Sequence, residues 1–114
     1  MTRTSTLLSG IRAVPGRCLA RVYLLKNFAQ IADVPEGCCV VTKYSRPDLV
    51  LVFGKAAAIV TEVGGATCHA AILAREFGIS CVVGVTGIIA ACTGYDRVVC
   101  ELDEEGPVVR LKYT

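Results

Sequence analysis

The chain has 114 residues, 54% of them apolar and 19% charged, with a net charge of +2 at neutral pH. That is enough for one core but not two, and too apolar for disorder. Its basic residues are scattered without interleaved aromatics, which argues against a nucleic-acid groove, and no apolar run reaches the ~18 residues of a membrane span.

Residues 1–8 are expected to form a flexible, Ser/Thr-rich end, with one folded domain over 9–114. No acidic residue precedes Asp33, as in a mitochondrial presequence, but Pro15 and Gly16 interrupt the basic stretch and residues from Ser9 onward read as part of the fold. RCLARVYLL (17–25) reads as a strand, Pro35-Glu36-Gly37 as a turn, and CCVVTKY (38–44) as a short β-rich run. In SRPDLVLVFGK (45–55) a helix can start at Pro47, because proline suits a first helical turn.

AAAIVTE (56–62) has the continuous apolar character of a buried strand, and Gly64-Gly65 follows as a tight turn. Thr67 or Cys68 then caps a helix that runs to Phe77 and ends at Gly78. ISCVVGV (79–85) is another buried strand, and GIIAAC (87–92) a short helical turn. DRVVCEL (96–102) and PVVRLKY (107–113) pair as a hairpin around a solvated turn at Asp103–Gly106. Strands mixed with two or three helices define an α/β fold with a β-rich part at each end.

Seven cysteines without a CxxC pair, and a single histidine, make neither a disulfide framework nor a zinc site. Cys18, Cys81 and Cys100 lie inside apolar runs, where a free thiol packs as a small hydrophobe. A reduced, cytoplasmic protein is expected.

The single histidine, His69, sits where the glycine turn hands over to the helix. The first N–H groups of a helix lack internal acceptors, and the helix dipole is positive at that end. Gly64 and Gly65 leave those amides open to an anion. The same field disfavours a protonated ring and favours a phosphorylated one, which suits reversible phosphoryl transfer. Thr67 and Cys68 are placed to donate to the phosphate or to orient the ring. The competing reading is a core histidine bonded to a carbonyl, since Ile72, Leu73 and Phe77 lie at helical spacings from it.

TEVGGATCHAAILAREFGISCVVG (61–84) resembles the signature T-x-x-G-G-x-T-S-H-A-A-I-x-A-R-E-x-G-I-P-x-V-V-G of the phosphohistidine swivelling (mobile) domain of phosphoenolpyruvate-utilising enzymes, of the pyruvate phosphate dikinase, phosphoenolpyruvate synthase and enzyme I type. The similarity extends more loosely through SRPD and KAAAIVTE upstream and YDRVVCELDEEGPV downstream. It implies a swivelling β/β/α fold, a central sheet with flanking helices, and phosphorylation at His69. Gly64, Gly65 and Thr67 match the family pattern, while Cys68 stands where it has Ser, Ser80 where it has Pro, and the DEEG turn lacks its usual glycine. Ser45 resembles a hydroxyl residue that approaches the phosphohistidine, and Arg75 and Glu76 match a segment read as structural and ion-paired.

In the family this domain moves between an ATP-grasp nucleotide-binding domain and a phosphoenolpyruvate/pyruvate-binding barrel, or passes phosphate to a carrier protein. Neither neighbour fits in 114 residues, so the chain is not expected to turn over alone. No metal ligand and no cofactor of its own are expected, Mg²⁺ coming with the partner's phosphoenolpyruvate or ATP. The function implied is a phosphoryl carrier acting through His69. The alternative is a non-catalytic interaction or regulatory module that retains the fold.

Overall fold

A computed structural model describes residues 5–113. Among these residues eight strands form one nearly closed sheet: β1 (Ser5–Ser9), β2 (Ile11–Val14), β3 (Cys18–Leu25), β4 (Cys39–Thr42), β5 (Ala58–Thr61), β6 (Ser80–Val83), β7 (Val98–Leu102) and β8 (Val108–Tyr113). Their spatial order is β1-β8-β7-β3-β4-β5-β6-β2. Strands β3 to β6 run parallel, β2 closes one edge antiparallel to β6, and β7, β8 and β1 form an antiparallel ribbon at the other. The α/β class read from the sequence stands.

β3 belongs to both halves. Its first residues, Cys18–Arg21, pair antiparallel with β7, and its last, Val22–Leu25, pair parallel with β4. The chain crosses between the halves a second time at Gly10, whose N–H donates to the Pro107 carbonyl at 3.0 Å before β2 begins.

The parallel strands are apolar throughout because both of their faces are covered. Cys39, Val41, Ala58, Val60 and Val82 face one core, which also holds Ile88, Cys92, Cys100, Leu102, Val109 and Leu111. Their neighbours Val40, Ile59, Cys81 and Val83 face a second core, beneath Val52, Phe53 and three alanines. A period of two thus distributes one apolar run between two cores.

Three helices cover these faces: α1 (Val50–Phe53), entered through a 3-10 turn at Pro47–Leu49, α2 (His69–Phe77) and α3 (Ile88–Cys92). Helix α2 buries Ala70, Ala71 and Ala74 completely, and side chains this small let it lie close to β5 and β6. Gly78 ends it in the left-handed conformation at φ 68°. Among the described residues no helix is long and apolar enough to cross a membrane.

Three local expectations change. Residues 5–8, read as part of a frayed end, lie in β1, paired in register with β8, because Leu8 packs on the core and the register supplies a full ladder; residues 1–4 lie outside the described residues. A 3-10 turn at Phe28–Asp33, capped by Asn27 Oδ1 accepting from Ala29 N at 2.9 Å, occupies a stretch that carries no helical period. Strand β2 is short and bulged between Arg12 and Val14, so alternation does not reveal it.

Arg12 joins the two halves. Its side chain is 7% exposed, and its guanidinium donates to the carbonyls of Gly106 (2.8 Å), Gly16 (3.1 Å) and Asp103 (3.0 Å) and to Ser80 Oγ (3.1 Å). Asp103 Oδ1, 3.3 Å from the same guanidinium, also accepts from Gly106 N at 2.7 Å and closes the final hairpin.

Candidate functional site

His69 is the first residue of α2, and its side chain is exposed, which removes the buried-core reading. Cys68 is the N-cap by backbone conformation (φ −69°, ψ 165°), but its side chain makes no capping hydrogen bond, in keeping with the weak hydrogen bonding of a thiol. The turn ahead of it is closed by Cys68 N donating to the Gly65 carbonyl at 3.0 Å, and the first helical bond runs from Ile72 N to the Cys68 carbonyl at 3.1 Å.

Ser45 reaches the ring from 24 residues away: its Oγ lies 2.7 Å from His69 Nδ1. The backbone explains the meeting. Beyond the ends of β4 and β5 the two chains stay paired, with Glu62 N donating to Thr42 O at 3.0 Å and Val63 N to Lys43 O at 2.8 Å. Buried Thr42 braces the same corner, with its Oγ1 3.2 Å from the Leu25 carbonyl and 3.4 Å from that of Tyr44. The loop carrying Ser45 and the loop leading to His69 are therefore registered at the carboxyl edge of the parallel strands, where α/β sheets collect ligands.

The two glycines of the turn are not equivalent. Gly64 has φ 141°, and a Cβ there would come within 2.9 Å of Cys68 Sγ. Gly65 has neither constraint: a Cβ would meet nothing within 4 Å. Gly84 completes the arrangement, because its left-handed conformation (φ 67°) leaves no room for a Cβ, which would lie 2.6 Å from the Gly64 carbonyl. Sequence reasoning gives Gly84 no role, since its partner is 20 residues away.

Two further residues frame the loop. Arg75 donates from Nη2 to the Ala66 carbonyl at 2.6 Å, reaching back from the last turn of α2 to the turn before its start. The expected ion pair between Arg75 and Glu76 is absent among the described residues: side chains one apart on a helix point about 100° from each other. Glu62 Oε1 accepts from Ile89 N at 3.1 Å, anchoring α3 to the strand that feeds the glycine turn. Its signal in the sequence is only that an acid follows a buried strand.

Thr67 is exposed in the turn, and the described contact to the ring comes from Ser45. The structure thus gathers Ser45, Gly64, Gly65, Thr67, Cys68 and His69 at one edge, with Ser45 as the direct partner of the imidazole. All seven cysteines are free. Burial pushes the thiol of Cys81, beneath α2, up to about 12, with nearby Cys68 adding to the shift and Arg75 opposing it.

An exposed imidazole opening a helix, in contact with a serine from the loop after β4, marks one edge of a small α/β domain. The chain belongs to the family described as PEP-utilising enzyme, mobile domain, whose model matches residues 34–104. It is 41% identical over 103 residues to a probable phosphoenolpyruvate synthase of Archaeoglobus fulgidus, covering 90% of this chain and 13% of the relative. It is 47% identical over 78 residues to the phosphoenolpyruvate synthase of Pyrococcus furiosus, covering 68% of this chain and 10% of that one. The chain therefore corresponds to a small part of these relatives' length. The fold recurs at 14% identity in aconitase X of Thermococcus kodakaraensis, with a TM-score of 0.67 over 93% of this chain and 98% of that one. A UPF0107 protein solved by NMR gives a TM-score of 0.62 at 14% identity, over 96% and 99% of the two chains.

Proposed function

We propose that this chain is a swivelling phosphoryl-carrier domain of the β/β/α type. His69 accepts a phosphoryl group from phosphoenolpyruvate or ATP held by a partner domain or subunit and passes it on. The observation that carries this reading is the 2.7 Å contact between Ser45 Oγ and Nδ1 of an exposed histidine at a helix start.

The chemistry follows from that contact. With Nδ1–H donating to Ser45 Oγ, the lone pair stays on Nε2, which faces away from the serine. Nε2 attacks phosphorus, the N–P bond forms, and the bond from phosphorus to the donor's oxygen breaks, its electron pair leaving with that oxygen. The phosphorylated ring keeps its Nδ1 proton and acquires a formal positive charge as Nε2 gives up its lone pair, and Ser45 Oγ accepts the Nδ1–H hydrogen bond throughout. Main-chain N–H groups at the start of α2, with the Thr67 hydroxyl, provide donors for the phosphoryl oxygens. Gly64 and Gly65 keep the approach open, and Cys68 fixes the entry angle of the helix. Return to an acceptor reverses these steps.

Mg²⁺ accompanies the partner's phosphates, so this domain contributes position and charge rather than a metal site. The partner expected is an ATP-grasp nucleotide-binding domain, a phosphoenolpyruvate/pyruvate barrel, or both, and the compartment the cytoplasm. The relatives support such neighbours, because the matched segment is a small fraction of each.

The test is to incubate the chain with ³²P-phosphoenolpyruvate or β-³²P-ATP and a lysate of its source. Acid-labile, base-stable label is expected, lost in His69→Ala and retained in Cys68→Ser. No label with either donor would overturn the carrier reading in favour of a non-catalytic module.

A further inference from the structure

We infer that the open cleft beside Ser45, bounded by Lys26, Phe28, Lys43, Tyr44 and Ile89, is a binding site for a small organic phosphate. Its phosphate lies against the two lysines and its flat, unsaturated portion against the Tyr44 ring. The cleft measures about 350 Å³ and opens at the carboxyl ends of the parallel strands β3 and β4, the position at which such sheets present ligands. That volume is at the small end of ligand sites, so part of the ligand stays in solvent.

Charge distinguishes this cleft from the larger one on the antiparallel ribbon. Several surface cations are ion-paired: Arg17 with Glu104, Arg46 with Asp48, and Arg110 and Lys112 with Glu101. Lys26 and Lys43 have no ion-pair partner among the described residues, and no acidic side chain lines their cleft. A larger cleft, about 490 Å³, lies against the antiparallel ribbon, but there Arg17 and Arg110 face Glu101 and Asp103. Two unmatched ammonium groups in one concavity create a field that a phosphate relieves. The carboxylate of Glu62, beyond the rim, already accepts from Ile89 N.

The wall is ordered before any ligand arrives. Phe28 stacks on Tyr44 with ring centroids 6.1 Å apart, and the Arg46 guanidinium lies 4.9 Å from the Phe28 ring centre. Buried Thr42 ties the ends of β3 and β4 together below them. Tyr44 nevertheless remains 49% exposed. A half-exposed ring held in place beside two free cations suits a ligand that is flat at one end and anionic at the other.

The inference rests on the carrier reading for its choice of probes, ATP and phosphoenolpyruvate, but not for its residues. The test follows ¹⁵N-labelled protein by NMR during titration with ATP, phosphoenolpyruvate or inorganic phosphate at low salt. ATP or phosphoenolpyruvate should move the amide signals of Lys26, Phe28, Lys43 and Tyr44. The one that binds more tightly identifies the flat part as a nucleobase or an enolpyruvyl group. Lys26→Glu with Lys43→Glu should weaken binding by about tenfold or more while preserving the other signals, both lysines being exposed. His69→Ala should leave binding unchanged.

The inference is overturned if neither organic phosphate moves these signals, if shifts are confined to residues 65–70, or if inorganic phosphate binds equally well. Label on His69 is read separately. Label without cleft binding sinks this inference alone, and cleft binding without label sinks the carrier reading alone.

Discussion

The parallel half and the antiparallel ribbon solve different problems. Strands β4, β5 and β6 are fully buried along their length, so exposed polar side chains are left to the loops at their carboxyl edge. In the ribbon, β7 alternates buried Val98, Cys100 and Leu102 with half-buried Val99 and Glu101, while β8 alternates Val109 and Leu111 with exposed Arg110 and Lys112. One face supports the core, and the other carries paired charges that hold the strands in register. The ribbon carries paired charges, and the parallel edge carries the exposed imidazole.

Substitutions that separate these roles test the division most severely. His69→Ala should abolish acid-labile labelling while leaving the thermal midpoint unchanged, because an exposed first-turn side chain supports no core contact. Arg12→Met should do the opposite. It removes the donors serving Gly16, Asp103, Gly106 and Ser80 at the joint between the halves, at a cost of about 3 kcal/mol. Denaturant unfolding would record that loss, while labelling per folded molecule should stay at the wild-type level. A labelling defect in folded Arg12→Met protein would show that the two halves are not separable.

Legibility in the sequence follows the same division. Continuous apolar runs exposed β4, β5 and β6, and the glycine turn with its following helix pointed to His69. The start at Pro47 and the end at Gly78 come from residues whose own conformational limits mark a boundary. What stayed hidden depends on distant partners. Arg12 looks like one more basic residue until the hairpin at Asp103–Gly106 folds back over it. Gly84 becomes constrained only when the Gly64 carbonyl arrives, and β1 is a strand because β8 is beside it. Ser45 could be suggested by resemblance, but its contact with Nδ1 depends on the pairing of loops beyond β4 and β5.

Two finer changes probe the edge around His69. Gly64→Ala combines a φ of 141° with a 2.9 Å approach to Cys68 Sγ, and strain of this kind costs about 2 kcal/mol. Gly65→Ala, with open space around it, should cost far less, so thermal melts of the pair isolate the role of Gly64. Ser45→Ala removes the hydroxyl 2.7 Å from Nδ1, which in the proposed mechanism holds the ring tautomer. A net hydrogen bond of about 1 kcal/mol corresponds to labelling roughly fivefold slower. Ser45→Thr should restore the rate, which a purely steric role for residue 45 would not produce. Unchanged rates in Ser45→Ala would remove the serine from the mechanism.

The smallest effect concerns the thiols in the two cores. Burial raises Cys18 to about 11, with Cys100 and Cys38 adding to the shift and Arg12 opposing it. Burial likewise takes Cys92 to about 12, with a further push from Cys100, and Cys81 to about 12. Cys39 is held well above its ordinary value by its contact with the Cys100 thiol and by burial. In the unfolded chain such thiols ionise near 9.0, so above that pH the unfolded state releases protons that the folded state retains. Stability from this source is therefore complete well below pH 9 and declines as pH rises through 9 toward 12. For one thiol the loss between pH 7 and pH 9 is about 0.4 kcal/mol. Cys81→Ala should flatten the dependence of folding free energy on pH by that amount, whatever it does to absolute stability. Because Cys81 lies under α2 while Cys18, Cys92 and Cys100 lie in the other core, matched alanine variants on each side report whether both cores unfold in one transition. Equal flattening from Cys81→Ala and Cys92→Ala is the cooperative outcome. Flattening confined to one side would mean that one core can open while the other stays folded.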